Sequence, residues 1–245
     1  MYRDVLDGEG KLLVRLQYYH DEGMGTPTGY RRLWDDMVKI QETYGMYATY
    51  VLDCLTSVEF IARMHEKYVL NPTVKDHRQW WSGSTDAVEE IVMRCMAGLP
   101  FNVVVTAHVS KDKDEMGGYL VHNPDLPGRL EARLAAYFGE MYHAYVARDD
   151  KGQPVYLMQT RTDSRYAAGS LVGAPDPMVN TYEAMWRKGV PRRPVHCLAY
   201  GLPHSGKTTF CASWPKPMVV YFSDAYQKDD PYLRLGTPTE LKEAA

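Results

Sequence analysis

The residues with the clearest chemical potential form one short segment, 201–208, whose sequence G-L-P-H-S-G-K-T fits the pattern G-x-x-x-x-G-K-[ST]. In such a loop the glycines let the backbone fold around a phosphate, and successive N–H groups point at the anion. The ammonium group of Lys207 would neutralise the β- and γ-phosphates, and the Thr208 hydroxyl would hold Mg²⁺. We therefore predict a nucleotide site here, with an ordinary glycine-rich turn as the alternative. Its predicted residues are Gly201, Leu202, Pro203, His204, Ser205, Gly206, Lys207, Thr208 and Thr209.

This loop requires a strand before it and a helix after it. Residues 195–200 are an apolar, β-prone run, and residues 209–213 can begin a helix. The segment 195–213 is therefore predicted to be strand, phosphate-binding loop and helix in that order.

A second chemically suggestive residue is Asp53, which ends the apolar run 47–53. Nucleotide hydrolysis needs an acid at such a strand end, because Mg²⁺ is held by the loop hydroxyl and, usually through water, by that carboxylate. Thr208 and Asp53 are therefore the predicted metal ligands. We expect them side by side at the carboxyl ends of adjacent or near-adjacent parallel strands. The alternative is an aspartate that only begins a turn.

Composition limits the classes of protein that fit. A chain of 245 residues is long enough for one α/β domain with a substantial core, and 1–245 is predicted to be a single domain. The net charge of −3 gives no global basic field, so contact with a polyanion would need a local patch. Four cysteines without C-x-x-C spacing favour reduced thiols in a cytoplasmic protein. No apolar run approaches the length of a membrane span, so we expect no membrane partner.

Hydrophobic patterning alternates between strands and helices along the chain. This alternation predicts the α/β class, with a mainly parallel sheet and helices on both faces. The predicted strands are 12–19, 47–53, 101–107, 141–147, 155–159, 195–200 and 218–222. The predicted helices are 30–44, 58–68, 84–96, 130–138 and 181–188.

The order of the motifs is unusual, because in proteins with this loop the loop normally precedes the acidic strand. Rotating the chain to begin near position 190 gives strand, loop, helix, a strand ending at Asp224, the strand ending at Asp53, and then strand 101–107 with His108 at its tip. The segments 201–217, 51–57, 105–115, 126–129 and 159–166, taken in rotated order, span most of the chain.

In that order the sequence resembles RecA-like ATPases, and more closely the phage-encoded ATPases with a trimmed RecA core that are associated with single-strand annealing. The resemblance implies a RecA-like P-loop core with circularly permuted order, ATP and Mg²⁺ as cofactors, and a ring or filament of identical subunits. It also implies the host cell cytoplasm as the location. The order fits a true circular permutant or a reading frame that was cut and rejoined.

Three further residues acquire roles from the resemblance. His108 would sense the γ-phosphate, although a histidine at a strand end can be purely structural. Asp224 could activate water, because a carboxylate within reach of the nucleophile is the chemical requirement. The glutamate of the family is missing there, which leaves hydrolysis open. Arg165, with Arg161 beside it, would reach the neighbouring subunit's γ-phosphate, the alternative being two solvated arginines.

Two predicted loops, 71–83 and 109–123, correspond to the DNA-facing loops of the family. Adjacent tryptophans with nearby cations could stack single-stranded bases and meet phosphates. The alternative is a pair divided between core and surface, which is the commoner arrangement of adjacent tryptophans. The second loop also contains acidic residues, so it is not a basic patch. The residues predicted to contact DNA are Arg78, Trp80, Trp81, Lys111 and Lys113.

The resulting functional prediction is an ATPase that binds single-stranded DNA and acts in phage recombination or replication. One alternative is an interaction module that binds nucleotide with little or no hydrolysis. Another is a P-loop enzyme acting on a small molecule, such as a kinase, disfavoured because the sequence contains no acceptor-site motif.

Overall fold

The computed structural model describes residues 2–6, 12–19, 25–43, 48–113, 120–126, 135–186 and 192–221, together with positions 130 and 133. Within these ranges the helices are α1 (Gly29–Thr43), α2 (Leu55–His65), α3 (His77–Glu90) and α4 (Lys207–Ala212). Wider π-helical turns, Glu66–Leu70 and Ile91–Met96, continue α2 and α3. The strands are β1 (Tyr2–Leu6), β2 (Leu12–Tyr18), β3 (Thr49–Asp53), β4 (Asn102–Ala107), β5 (Val109–Lys113), β6 (Leu120–Pro124), β7 (Glu140–Arg148), β8 (Pro154–Gln159), β9 (Gly169–Ser170), β10 (Met178–Val179), β11 (His196–Gly201) and β12 (Pro217–Tyr221).

The main sheet has the spatial order β1-β2-β12-β3-β4-β11-β7-β8-β10, and β9 pairs with β7. Its central strands, β2 through β7 in that order, are all parallel. The flanking strands β1, β8, β9 and β10 pair antiparallel. The predicted α/β class with a mostly parallel sheet is therefore confirmed.

Both faces of the sheet are covered, which explains why its central strands are continuous apolar runs rather than alternating ones. In β11, Leu198 and Tyr200 face a core shared with α1, α2 and α3, whereas Cys197 and Ala199 face the other side. The second core contains Phe210 of α4. Helices on both faces were predicted, and the parallel arrangement brings the carboxyl ends of β3, β4 and β11 to one edge.

The predicted loop 71–83 is wrong in its second half, because α3 begins at His77. Asp76 is its N-cap residue, and the Asp76 carboxylate accepts a hydrogen bond from the Arg78 backbone N–H at 3.0 Å. The aspartate is a recognisable start signal, but the helix is too polar at this end for its periodicity to be visible.

The predicted loop after His108 is also wrong, because β5 and β6 form an antiparallel hairpin in register from Val109↔Pro124 to Lys113↔Leu120. Its strands are largely polar, so hydrophobic patterning could not reveal them. The described part of the predicted helix 181–188 contains one 3₁₀ turn, Glu183–Met185. In the predicted helix 130–138, positions 130 and 133 are helical and Ala135–Tyr137 is a 3₁₀ turn, while 131, 132 and 134 lie outside the described residues.

None of the described helices has both the length and the apolar character required to cross a bilayer.

Candidate functional site

The loop between β11 and α4 has the predicted strand, turn and helix sequence. Gly201 ends β11, and a Cβ atom there would lie 2.4 Å from the Ala144 carbonyl oxygen of β7. Gly206 has φ of 88°, a conformation that side chains disfavour. Both glycines are therefore required by the backbone geometry. Of the other predicted loop residues, Ser205 is buried, whereas Leu202, Pro203, His204 and Thr209 are exposed.

The Lys207 ammonium group lies inside this loop, with the residue only 7% exposed. Its Nζ donates to the carbonyl oxygens of Gly201 at 3.0 Å and Leu202 at 2.8 Å. Burial lowers the pKa of Lys207, and the Asp53 carboxylate acts in the opposite direction. The structure therefore encloses the positive charge where the loop folds around it.

Asp53 and Thr208 are in direct contact although 155 residues separate them. The Thr208 hydroxyl donates to Asp53 Oδ2 at 3.0 Å, and the Thr106 hydroxyl of β4 donates to Asp53 Oδ1 at 2.5 Å. The predicted juxtaposition of Asp53 and Thr208 is therefore confirmed. Strand β4 lies between β3, which ends at Asp53, and β11, which precedes the loop that leads to Thr208. Sequence reasoning missed Thr106, whose only signal was a polar residue within an apolar strand.

The Asp53–Thr208 pair could contribute to a magnesium site. A carboxylate and a hydroxyl are hard oxygen ligands, and Mg²⁺ commonly takes only one or two protein ligands together with phosphate oxygens and water. The two side chains therefore fit the ion. Among the described residues, no group of three or more His, Cys, Asp or Glu side chains is arranged to hold a metal ion with protein ligands alone.

His108 follows β4 at the same edge of the sheet and is half-buried. Its backbone N–H donates to the Thr56 hydroxyl at 3.1 Å, while its carbonyl accepts from the Asp125 N–H at 2.8 Å. Burial is the main cause that lowers the pKa of His108, and the Lys207 charge adds to it. His108 thus lies close enough to the loop lysine for that charge to lower its pKa. A γ-phosphate-sensing role stays a prediction.

The hairpin after His108 is joined to the segment that carries Arg165. The His122 backbone N–H of β6 donates to the Arg165 carbonyl at 2.7 Å. The rings of His122 and Tyr166 stack at 4.6 Å, and Tyr166 stacks on His143 of β7 at 3.8 Å. The Arg165 side chain is exposed, as is that of Arg161. The strands β5 and β6, where a loop was predicted, are therefore attached to the main sheet through stacked rings.

His143 should make the stability of the chain depend on pH. Burial is the main cause that lowers its pKa to about 4. In the unfolded chain this histidine has a pKa near 6.5. Between about pH 4 and about pH 6.5 the unfolded chain therefore binds more protons than the folded chain. Stability is therefore full above about pH 6.5 and is lost as pH falls towards 4, by about 3 kcal/mol.

Urea unfolding at several pH values would measure this loss, and His143→Phe, which keeps a ring in the stack, should reduce it. An equal pH dependence in the variant and the wild type would contradict the assignment to His143.

The predicted DNA-contact residues are not brought together. Trp80 is buried, and its indole N–H donates to the Asn71 carbonyl at 3.4 Å, so it cannot stack a base in this conformation. Trp81 is exposed, but the Arg63 guanidinium lies 4.0 Å from its ring centroid. The Arg78 side chain is paired with Asp76. The expectation of two adjacent stacking tryptophans is therefore wrong.

Trp81 lies against Arg63, which is eight residues after the start of α2, or about 12 Å along that helix. Helix α2 itself begins two residues after Asp53. Lys111, in contrast, is exposed on β5, directly after His108. The side chain of Lys113 and the whole of Asp224 lie outside the described residues.

Comparison with known proteins gives no relative from which function could be transferred: the chain matches no family model, no curated protein and no solved structure. Function must therefore be inferred from the residues themselves.

Proposed function

We propose that this chain is a RecA-like, ATP-hydrolysing protein of circularly permuted order that acts on single-stranded DNA in phage recombination or replication. The observation that carries the proposal is the 3.0 Å hydrogen bond from Thr208 to Asp53. It joins the two side chains that the loop chemistry requires, at the carboxyl edge of a parallel sheet, from positions 155 apart in the sequence. Because folding brings this pair together, a chance match to the loop pattern is a poor explanation for the sequence of 201–208.

In the proposed site, residues 201–209 surround the phosphates and Lys207 neutralises their charge. When bound, Mg²⁺ would neutralise phosphate charge and orient the phosphates, with Thr208 and Asp53 holding it. The Thr106 hydroxyl fixes the other oxygen of the Asp53 carboxylate, so the pair is oriented before nucleotide arrives. This arrangement supports a site for a nucleoside triphosphate.

The partners are proposed from the surroundings of this site. The hairpin β5–β6 follows His108 directly and carries Lys111, so it replaces α3 as the favoured contact with DNA. Arg165 is exposed and its segment is hydrogen-bonded to the same hairpin. We propose that Arg165 reaches the nucleotide of an adjacent copy in a ring or filament, with His108 linking nucleotide state to the hairpin.

The second candidate is a nucleotide-dependent interaction module with little or no hydrolysis. It is favoured by the sequence 222–226 after β12, F-S-D-A-Y, which has no glutamate where the family resemblance expects the water-activating acid. Both candidates require ATP binding, and they differ in turnover.

ATP turnover by the purified chain, with and without single-stranded DNA, separates the candidates. We expect turnover that DNA stimulates and that Asp53→Asn abolishes, because the amide cannot replace the carboxylate at the metal. Asp35→Asn, an exposed change on α1, is the matched control and should have no effect. Binding without turnover would favour the interaction module, and absence of ATP binding would contradict both.

The DNA assignment is tested by fluorescence anisotropy of a labelled oligonucleotide with an ATP analogue, with ADP and with neither. Coupling of about 1–3 kcal/mol is the usual scale for linked sites. His108→Ala should remove most of the difference while ATP affinity stays nearly unchanged. Equal oligonucleotide binding in all three states would overturn the coupling.

A further inference from the structure

The phosphate-binding loop is held from outside by a residue that its sequence motif does not contain. Asn180 is 4% exposed and lies directly after β10. Its side-chain Nδ2 donates to the Gly206 carbonyl oxygen at 2.8 Å. The same carbonyl accepts the first hydrogen bond of α4, from the Phe210 N–H at 2.9 Å. One oxygen atom therefore receives both the helix's own bond and a bond from the distant side chain.

The backbone around Asn180 is itself fixed to two other elements. Its N–H donates to the Tyr156 carbonyl of β8 at 3.3 Å. Two residues later, the Tyr182 N–H donates to the Ser213 hydroxyl at 2.8 Å, and the Tyr182 ring lies 4.8 Å from that of Trp214. The segment 178–182 thus contacts both ends of α4.

Close packing at Gly206 shows how tightly this contact constrains the loop. A Cβ atom on Gly206 would lie 2.3 Å from Asn180 Nδ2 and 2.9 Å from the Tyr156 ring. Helix α4 has only six residues, and an isolated helix of that length is not stable in water. The start of α4 therefore depends on contacts made by other parts of the chain.

We propose that Asn180 is a positioning residue that fixes the Gly206 peptide and, through it, the directions of the following N–H groups and of Lys207 and Thr208. This role rests on the proposed nucleotide site. Because the carbonyl of Gly206 and the N–H of Lys207 belong to one planar peptide unit, fixing the first orients the second. Asn180 would act through the loop without touching the nucleotide.

The first test is the affinity for a fluorescent ATP analogue in Asn180→Asp. The side chain keeps its shape, but the donor becomes an acceptor facing the Gly206 carbonyl. We expect at least about a tenfold loss of affinity, the scale of one buried hydrogen bond left unpaired.

Asn102→Asp is the matched control for this variant. Asn102 is equally a buried asparagine, and it accepts from the Val195 N–H at 3.2 Å at the opposite, amino end of the parallel strands. This control should keep wild-type affinity under conditions where it is folded. Equal losses in both variants would mean a merely structural role for Asn180.

The second test needs no nucleotide. Hydrogen exchange of the backbone amides of 206–210 should be at least about tenfold faster in Asn180→Asp, while exchange in β4 stays at the wild-type rate. Asn180→Ala removes the donor without adding charge and should give the same result if the aspartate variant does not fold.

The outcomes separate this inference from the proposed function. A wild-type chain that binds no ATP would contradict the proposed function, whereas faster local exchange would still support the fixing of Gly206. Wild-type exchange and affinity in Asn180→Asp would overturn the positioning role alone.

Discussion

Replacing Lys207 by alanine is expected to abolish detectable ATP binding while the chain remains folded. The Lys207 ammonium group is enclosed by the loop and donates to the carbonyls of Gly201 and Leu202. In the proposed complex it is the positive charge closest to the phosphates, and charged hydrogen bonds are the strongest available there. A loss of at least about 100-fold, near 3 kcal/mol, should be seen in a titration with a fluorescent ATP analogue.

The folded state of this variant has to be checked, because Lys207 is buried. Its removal takes one donor from the carbonyls of Gly201 and Leu202, although the Leu202 carbonyl still accepts from the Ser205 N–H at 3.2 Å. It also removes a positive charge whose pKa is lowered by burial. Circular dichroism would show whether the variant is folded, and thermal unfolding would measure the net change in its stability. Lys151→Ala, an exposed lysine in the turn between β7 and β8, is the control. Unchanged affinity in a folded Lys207→Ala chain would contradict the phosphate-binding role.

The central strands and the loop were predictable from sequence because their signals are local. Strands buried on both faces are apolar along their whole length, so β4 and β11 are visible without knowledge of their partners. The loop depends on glycine at positions such as Gly206, where the backbone has a positive φ. The pairing of Asp53 with Thr208 was also predictable, since the ends of parallel strands share one edge of a sheet.

The contacts that support the site were not predictable, because each joins residues far apart in sequence. Thr106 and Asn180 look like ordinary polar residues until folding places them against Asp53 and Gly206. The hairpin β5–β6 was not predicted for another reason. It is held by strand pairing and ring stacking rather than by an apolar face, so it leaves no hydrophobic pattern in the sequence. The start of α3 was missed because polar residues conceal the helical period around Trp80.

Glu140→Ala is expected to be among the most destabilising single changes in the chain. Glu140 begins β7 and is 1% exposed. Its carboxylate accepts four hydrogen bonds, from the Tyr142 hydroxyl at 2.5 Å, the Ser170 hydroxyl at 2.6 Å, and the N–H groups of Leu171 at 3.0 Å and Val172 at 2.9 Å. Alanine would remove this acceptor from all four donors. The Leu171 N–H keeps a second acceptor, the Gly139 carbonyl at 3.1 Å, whereas each buried donor left unsatisfied costs about 1–3 kcal/mol before relaxation.

Partial relaxation and entry of water should reduce the total cost of the unsatisfied donors. We therefore expect the free energy of unfolding, measured with urea, to fall by about 4 kcal/mol. The control is Glu183→Ala, whose exposed ion pair with Arg192 should contribute no more than about 1 kcal/mol. The loss of stability in Glu140→Gln should lie between those of Glu140→Ala and Glu183→Ala, because one side-chain oxygen still accepts hydrogen bonds. Since Ala144 of the same strand packs against Gly201, loosening β7 should also weaken ATP binding in Glu140→Ala. A Glu140→Ala chain as stable as Glu183→Ala would show that the four hydrogen bonds do not hold this edge of the sheet.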